Sequence, residues 1–209
     1  MASFTIVGTG TGTGQYIIPE AKQVIQGADV LIGGERNLAP WLGHTRKKYY
    51  VIKSPLIDVI KWIKKHYHQE KVVVLVSGDP GFYSLLTFLA NYFPREEIQV
   101  IPGISSMQVA FARLSLPWHD AVLLNLHGRS LLTLDKYIHF PKMALLTDPI
   151  NNPEKICNYL LSKGRNYGLI HICTNLGYPD ENIKTLRLNE VFSLSDDNKD
   201  PTVMVILDE

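Results

Sequence analysis

Polar and glycine-rich loops follow several of the hydrophobic runs, and they hold residue types that bind ligands. Gly-Thr-Gly-Thr-Gly-Thr-Gly occupies residues 8–14, Ser-Gly-Asp-Pro-Gly occupies 77–81, and Pro-Gly-Ile-Ser-Ser occupies 102–106. His-Gly-Arg at 127–129 and Thr-Asp-Pro at 147–149 continue the series. Glycine lets a ligand approach the backbone closely, and free amides at a helix start bind anions. Because ligands of α/β sheets bind beyond the carboxyl ends of the strands, we expect these loops to line one cleft.

Helix capping is the purely structural interpretation of the same loops. Asp79 before Pro80, and Asp148 before Pro149, fit a helix N-cap followed by proline at the first helical position. Ser105 fits a serine cap. Both roles are compatible, because a Gly-Asp pair at a strand end also presents polar groups to a ligand.

The glycine run at 8–14 is also weakly similar to a dinucleotide-binding loop. It matches Gly-x-Gly-x-x-Gly loosely, and Glu35 lies about 20 residues further on, where a ribose-binding acid would stand. A Rossmann helix begins inside its glycine motif, whereas here the helix is delayed to Pro19. A nucleotide-dependent oxidoreductase is therefore disfavoured but stays open as an alternative.

Motifs for covalent catalysis or metal binding do not occur in the sequence. There is no Gly-x-Ser-x-Gly elbow, Walker loop or His-Glu-x-x-His, so we expect no metal. His66 and His68 stand at the end of a predicted helix, where we expect them to face solvent or favour the helix dipole. Cys157 and Cys173 are expected to be buried, reduced thiols.

The composition excludes several functional classes. The chain has 209 residues, enough for one large domain or two of about 100 residues each. Its 21 basic and 20 acidic residues leave a net charge of +1, which provides no field to hold nucleic acid or an anionic membrane. The longest aliphatic run, at 72–76, is far shorter than the roughly 20 residues of a membrane span. With no signal-peptide pattern at the start, we expect a cytoplasmic protein.

Strand-like runs alternate with helix-like patterns along most of the chain, which predicts parallel sheets with right-handed crossovers. The break at residues 116–120 predicts a domain boundary, with an N-terminal α/β domain at 1–116 on a parallel sheet and a C-terminal α/β domain at 117–209 on a mixed sheet. Strands are predicted at 4–7, 30–32, 49–52, 72–76, 98–101, 122–126, 143–147, 169–173, 183–188 and 202–207, and helices at 19–26, from Ser54-Pro55, at 104–114, 131–137 and 153–161.

Taken in order, the loop motifs resemble those of the tetrapyrrole methylase family, and the resemblance covers nearly the whole chain. The Gly-Asp-Pro and Pro-Gly-Ile-Ser-Ser loops are shared widely in that family. The motifs similar to its carbon-5 methylating branch are Gly-Gly-Glu-Arg, Leu-Pro-Trp-x-Asp-Ala, His-Gly-Arg, Leu-Thr-Asp-Pro and Leu-Gly-Tyr-Pro-Asp-Glu. Thr11 stands where the family's first loop has proline. The motifs are VGTGTG at 7–12, ADVLIGGERNL at 28–38, VSGDPGFYSLL at 76–86, IPGISSMQVAFARLSLPWHDA at 101–121, NLHGR at 125–129, LTDP at 146–149 and LGYPDE at 176–181.

The resemblance implies two α/β domains with S-adenosylmethionine in the cleft between them, and methylation of carbon 5 of a precorrin or cobalt-precorrin in cobalamin biosynthesis. It implies a homodimer, with a separate protein for methylation and decarboxylation at carbon 15. The expected cofactor contacts are Gly78, Asp79, Pro80, Tyr83, Ser105, Ser106, Leu146, Leu176 and Thr202. The expected contacts of the tetrapyrrole are Gly8, Gly10, Gly12, Arg36, His127 and Arg129.

The reaction mainly requires the reacting groups to be held in position, because a sulfonium already activates its methyl group. Alignment of reacting groups supplies about 7–11 kcal/mol of a barrier. If a proton must be removed, Asp79 and His127 are the candidate bases by location. Arg36 and Arg129 suit the peripheral carboxylates of the macrocycle. The alternatives are a family activity at another ring carbon or on a diphthamide precursor, the oxidoreductase above, and a non-catalytic tetrapyrrole sensor.

Overall fold

The computed structural model describes residues 3–43, 46–53, 55–193 and 202–208, without the side chains of 191–193. The chain forms two compact units, Met1–Ser105 and Ser106–Glu209, each built on a five-stranded sheet. The division into domains after residue 116 stays a prediction. Within the described ranges, no helix is both long enough and apolar enough to cross a membrane.

The first unit is a parallel sheet whose connections carry the helices. Its strand order is β3-β2-β4-β1-β5, and every neighbouring pair is parallel, which confirms the predicted parallel sheet. The elements are β1 (Phe4–Gly8), α1 (Pro19–Gln26), β2 (Val30–Gly33), α2 (Glu35–Leu38), β3 (Lys48–Val51), α3 (Ile57–His66), β4 (Val72–Val76), α4 (Leu85–Leu89) and β5 (Ile98–Ile101).

The central strand β4 shows why this sheet needs helices on both faces. All five of its residues are buried, and alternate side chains point to opposite faces. Val74 packs in one core with Ile63 of α3, whereas Leu75 packs in the other core with Ile25 of α1. A continuous apolar run is typical of a strand covered on both sides, as the sequence predicted.

The second unit is a mixed sheet, as predicted. Its order is β6-β7-β10-β8-β9; β6 and β7 are parallel, and the other pairs are antiparallel. The last strand of the chain lies in the middle, with all six residues buried. The predicted helix at 131–137 is a 3-10 helix, Leu131–Lys136. The elements are α5 (Ser106–Arg113), β6 (Val122–Asn125), β7 (Lys142–Leu146), α6 (Pro153–Ser162), β8 (Leu169–Thr174), β9 (Asn182–Arg187) and β10 (Thr202–Leu207).

The aspartate–proline pairs do not start helices, and the capping interpretation of both is wrong. Helix α4 begins only at Leu85, with Ser84 at its N-cap position. Helix α6 is capped by Asn152, whose Oδ1 accepts the amide of Lys155 at 2.8 Å. Asp79 is not a cap because its carboxylate accepts the Gly81 amide in a local turn.

The start of α3 also differs from the prediction. The helix begins at Ile57, so Pro55 lies outside it, and Leu56 occupies the N-cap position without a side-chain hydrogen bond. The predicted cap Ser54 lies outside the described residues.

His66 is buried, so the predicted exposure to solvent is wrong, whereas its place in the last turn of α3 fits the predicted alternative of favouring the helix dipole. Only 7% of it is exposed, and its ring stacks on Trp62, one turn earlier on α3, with 5.0 Å between ring centroids. Its Nδ1 shares a hydrogen bond with the carboxylate of Glu70. The apolar face of α3 therefore extends to its last residue, because Trp62 covers the imidazole. Cys157 and Cys173 are free and buried as predicted, and burial raises the pKa of both thiols to about 12.

Candidate functional site

The loops after β1 and β4 lie side by side at the carboxyl edge of the first sheet. The Gly10 amide donates to the Gly78 carbonyl at 3.3 Å, and the Gly78 amide donates back to the Gly10 carbonyl at 2.8 Å. The Thr9 hydroxyl donates to the Val76 carbonyl at 3.0 Å. The structure thus brings together a loop assigned to the tetrapyrrole and a loop assigned to the cofactor.

Backbone packing explains two of the glycines in these loops. A Cβ on Gly8 would lie 2.5 Å from the Gly78 carbonyl oxygen and 2.6 Å from the Gly103 amide nitrogen. A Cβ on Gly103 would overlap that same carbonyl oxygen. These glycines therefore let three strand-end loops pack against one another, a role additional to the ligand access that the sequence predicts.

The Asp79 carboxylate joins the loop after β4 to the loop after β5. Its Oδ1 accepts the Gly81 amide at 2.8 Å, and its Oδ2 accepts the Gly103 amide at 3.0 Å. A carboxylate offers about four lone-pair sites, so a half-buried Asp79 keeps acceptor capacity for a cationic or hydroxyl group of a ligand. Both oxygens already have fixed partners, which favours a positioning role over that of a mobile base.

Tyr83 adopts an uncommon backbone conformation beside this aspartate. Its φ is 50°, in the left-handed region that costs a non-glycine residue about 1–3 kcal/mol. Its ring meets that of Phe82 edge-on, with 4.8 Å between centroids. Pro80 between Asp79 and the turn is buried. Strained residues of this kind concentrate at ligand sites, which is consistent with the predicted role of Tyr83.

The two serines after β5 differ in their surroundings. Ser105 is buried, and a Cβ on Gly78 would lie 3.5 Å from its Cα, so the loops containing them are in contact. Ser106 is the first residue of α5, an eight-residue helix. The first amides of a helix lack acceptors within the helix, so this start suits a carboxylate.

Asn37 is a residue of this edge that the sequence analysis did not assign. Its Oδ1 accepts the hydroxyl of Ser77 at 3.0 Å and lies 3.4 Å from the hydroxyl oxygen of Thr9. Neighbouring Arg36 lies exposed on α2 and makes no hydrogen bond or ion pair with any described residue. Gly12 has a φ of 78°, further along the first loop. The predicted roles of Arg36 and Gly12 therefore rest on their positions alone.

Leu146, Leu176 and Thr202 converge on one edge of the second sheet. Strand β10 begins where β7 and β8 end, because Val203 is paired with Leu146, and Thr202 with Thr174. The Thr202 carbonyl accepts the amide of Thr147 at 3.2 Å and its hydroxyl at 3.0 Å. Buried Leu176 follows β8 directly.

An ion pair holds the loop that carries Leu176. Arg113 Nε donates to Glu181 Oε1 at 2.5 Å, and the Gly177 amide donates to Glu181 Oε2 at 2.7 Å. The hydrogen bond from Arg113 lowers the pKa of Glu181, an effect that its partial burial opposes. Asn175 in the same loop has a φ of 51° and donates to Asp180 at 2.7 Å. The sequence analysis did not single out Arg113, since its partner is distant in the chain.

Asp148 and Asn151 hold the His-Gly-Arg turn through hydrogen bonds to its backbone and to that of Leu126. The Gly128 amide donates to Asp148 Oδ2 at 2.6 Å, and buried Asn151 donates from Nδ2 to the carbonyls of Leu126 and Arg129, each at 2.8 Å. The side chains of His127 and Arg129 lie at the exposed surface of the turn. Burial alone would raise the pKa of Asp148, but hydrogen bonds from three backbone amides outweigh it and lower the pKa.

No cluster of three His, Cys, Asp or Glu side chains suited to a metal ion occurs in the part of the chain that the structure describes.

Comparison with known proteins connects this arrangement to a family. Residues 3–191 match the tetrapyrrole (corrin/porphyrin) methylases. The chain is 32% identical over 207 residues to the cobalt-precorrin-7 C(5)-methyltransferase of Salmonella typhimurium, covering 98% of each chain. The fold is similar to that of the precorrin-6Y methylase CbiE from Archaeoglobus fulgidus, with a TM-score of 0.78, 24% identity and 100% of both chains covered. It is also similar to uroporphyrin-III C-methyltransferase from Thermus thermophilus complexed with S-adenosylhomocysteine, with a TM-score of 0.77 at 18% identity over 98% of this chain and 92% of that one. The chain therefore belongs to the tetrapyrrole (corrin/porphyrin) methylase family.

Proposed function

We propose that this protein transfers a methyl group from S-adenosylmethionine to carbon 5 of a cobalt-precorrin in cobalamin biosynthesis. The observation that carries the proposal is the 32% identity over 98% of both chains to a cobalt-precorrin-7 C(5)-methyltransferase. The strand-end loops support it, because they collect polar backbone and side-chain groups at the carboxyl edge where α/β proteins bind ligands. We further propose a cytoplasmic homodimer, with a separate protein acting at carbon 15.

The residues at these edges fit S-adenosylmethionine. Asp79 keeps lone pairs for the cofactor's ammonium, and the first amides of α5 suit its carboxylate. When bound, the cofactor supplies a methyl group activated by its sulfonium. We assign to the cofactor Gly78, Asp79, Pro80, Tyr83, Ser105, Ser106, Leu146, Leu176 and Thr202.

The residues assigned to the tetrapyrrole position it by charge and close contact. Arg36 and Arg129 both have exposed guanidinium groups, whose planar donors match peripheral carboxylates. Gly8, Gly10 and Gly12 shape the first loop. For a proton-transfer step, exposed His127 is a better candidate than Asp79, since both Asp79 oxygens accept backbone amides.

A nucleotide-dependent oxidoreductase is the second candidate, and the fold disfavours it. Helix α1 begins at Pro19, well after the glycine run, so the first loop does not lead into a helix whose start could hold a pyrophosphate. We expect S-adenosylhomocysteine, and not NAD(H), to raise the melting temperature of the protein.

Calorimetric titration with S-adenosylhomocysteine tests the cofactor assignment. We expect micromolar binding by the wild type and at least a tenfold weaker affinity for Asp79→Ala, about 1.4 kcal/mol. Asp29→Ala is a matched control, because Asp29 Oδ2 also accepts a backbone amide, that of Lys71, at the opposite edge of the same sheet. If the two variants bind S-adenosylhomocysteine with equal affinity, Asp79 does not belong to the cofactor site.

Product analysis tests the reaction itself. The wild type, incubated with cobalt-precorrin-7 and S-adenosylmethionine carrying a ¹³C-labelled methyl group, should yield a product whose new methyl signal is on carbon 5. Methylation at another ring carbon would move the protein to a different activity of the family, and tight binding of both ligands without turnover would indicate a sensor.

A further inference from the structure

The second unit contains a cavity of about 500 Å³ beside the His-Gly-Arg turn. Volumes of about 300–1,000 Å³ are typical of sites for small molecules. Two segments line it, the turn after β6 and the stretch from the end of β7 into α6. The lining residues include Arg129, Leu132, Asp148, Ile150, Lys155 and Tyr159.

The walls of this cavity are held by hydrogen bonds between the two segments. Asn151 donates to the carbonyls of Leu126 and Arg129, and Asp148 accepts the Gly128 amide. Asp148 also accepts the amides of Ile150 and Asn151, at 2.8 and 2.6 Å. The turn and the start of α6 therefore form one preformed frame, which lowers the entropic cost of binding a ligand.

The charge that this cavity offers to a ligand is positive. Lys155 is exposed, and its ammonium makes no hydrogen bond or ion pair with any residue that the structure describes. Arg129 adds a second cation. These two cations outnumber the single negative charge of Asp148, whose oxygens accept three backbone amides. Tyr159 donates its hydroxyl to Asp135 at 2.5 Å, so that carboxylate too has a partner.

Two large apolar side chains stand exposed at the same cavity. Leu132 is 65% exposed and Ile150 is 71% exposed, although both lie on short, hydrogen-bonded segments. A ligand that covers them while meeting Lys155 and Arg129 must combine an apolar body with anionic groups at its periphery. A tetrapyrrole with carboxylate side chains has both properties.

We propose that this cavity is a subsite for one edge of the tetrapyrrole, in which Lys155 binds a peripheral carboxylate. In this subsite Leu132 and Ile150 cover the adjacent part of the macrocycle, and Arg129 binds the tetrapyrrole from the other wall of the cavity. The inference rests on the proposed function, and it names Lys155 as a residue that determines substrate specificity.

The test compares Lys155→Glu with Lys184→Glu, a matched charge reversal on exposed β9 at the opposite edge of the sheet from β6. Glutamate at 155 lies in the first turn of α6, where negative charge favours the helix dipole, so the variant should fold. The readouts are KM for cobalt-precorrin-7, Kd for a porphyrin octacarboxylate by fluorescence quenching, and Kd for S-adenosylhomocysteine.

We expect Lys155→Ala to raise the KM and the porphyrin Kd about threefold, in the range of exposed ion pairs. Lys155→Glu should raise both about tenfold, because it adds repulsion to the lost attraction. The S-adenosylhomocysteine Kd should be unchanged, and Lys184→Glu should match the wild type. High salt should shrink the difference.

If the wild type is active and Lys155→Glu changes neither the KM nor the porphyrin Kd, the proposed subsite is wrong. A change of oligomeric state in Ile150→Glu, without a change in porphyrin Kd, also overturns it, because the face would then be a protein contact. If the wild type neither binds S-adenosylhomocysteine nor methylates cobalt-precorrin-7, the proposed function fails, whereas the porphyrin titration still decides the subsite.

Discussion

Arg113 at the end of α5 and Glu181 in the loop after β8 form an ion pair across 68 positions of the chain, with 2.5 Å between Nε and Oε1. The second Glu181 oxygen accepts the Gly177 amide, so the pair holds the loop that carries Leu176. If Leu176 contacts the cofactor, the ion pair contributes to affinity through the position of that loop.

Breaking this pair should weaken cofactor binding and cost the fold a comparable or smaller free energy. We expect Arg113→Ala to raise the Kd for S-adenosylhomocysteine about fivefold and to cost about 1 kcal/mol of stability or less, since the pair is partly exposed. Calorimetry and urea unfolding give the two values. Lys163→Ala, which breaks the exposed Lys163–Asp135 pair of the same unit, is the control and should leave the Kd unchanged. An unaltered Kd for Arg113→Ala would mean that Leu176 lies away from the cofactor.

Gly103 should not tolerate even alanine. Its Cβ would overlap the Gly78 carbonyl oxygen, and relieving that overlap requires the strand-end loops to separate. We expect Gly103→Ala to lower the free energy of unfolding by about 2–3 kcal/mol. Gly34→Ala is the control, because a Cβ there meets nothing within 4 Å and Gly34 has a φ of −65°. Equal stabilities in urea unfolding would show that the loops are not packed as described.

Asp148 should link pH to stability and to substrate binding. Its carboxylate accepts three backbone amides, and its folded pKa lies below the ordinary value of 3.8. The stabilisation is therefore complete above that value and disappears as the pH falls through the lower folded pKa. Asp148→Asn should lose about 1.5–3 kcal/mol at neutral pH, together with the pH dependence that this group contributes. Urea unfolding between neutral and acidic pH measures both effects.

The same substitution should loosen the His-Gly-Arg turn, because an amide nitrogen cannot accept the Gly128 N–H. We expect the KM for the tetrapyrrole to rise about tenfold, roughly 1.4 kcal/mol, without a change in affinity for S-adenosylhomocysteine. Asp120→Asn, at an exposed carboxylate paired with Lys142, is the control. If the KM of Asp148→Asn equals that of the control, this turn is not part of the substrate site.

Arg165 should be essential to the fold of the second unit. It is 0% exposed and donates to the carbonyls of Ile138 and Phe140, at 2.9 and 3.0 Å, and to Asp208 at 2.5 Å. Arg165→Met removes the donor from the buried Ile138 carbonyl and from two partly buried acceptors, so we expect a loss of about 3–5 kcal/mol. The exposed Arg187→Met should stay within about 0.5 kcal/mol of the wild type. Similar melting temperatures for the two variants would contradict this role.

Several elements follow from the sequence alone, because the information that specifies them is local. Three elements were predicted with their observed bounds. They are the buried strand at 72–76, the helix at 19–26 that begins with proline and ends before a glycine, and the last strand, Thr202–Leu207. Periodicity and helix-end residues act over a few positions, so they can be recognised without knowing what packs against them. Strands alternating with helices also predicted the parallel first sheet, and two strands without a long helix between them at the end of the chain predicted the mixed second one.

The tertiary structure decided what the polar residues do. Asp79 and Asp148 have the sequence pattern of helix caps, yet each binds an amide from a distant loop, Gly103 in one case and Gly128 in the other. His66 has the pattern of a solvent-facing helix end, but Trp62 covers it. Such partners are set by which strands become neighbours in a sheet, and short-range propensity carries no information about that. The sequence by itself therefore determined the elements, the family and the set of loops, whereas only packing between distant segments decided which carboxylates hold the loops.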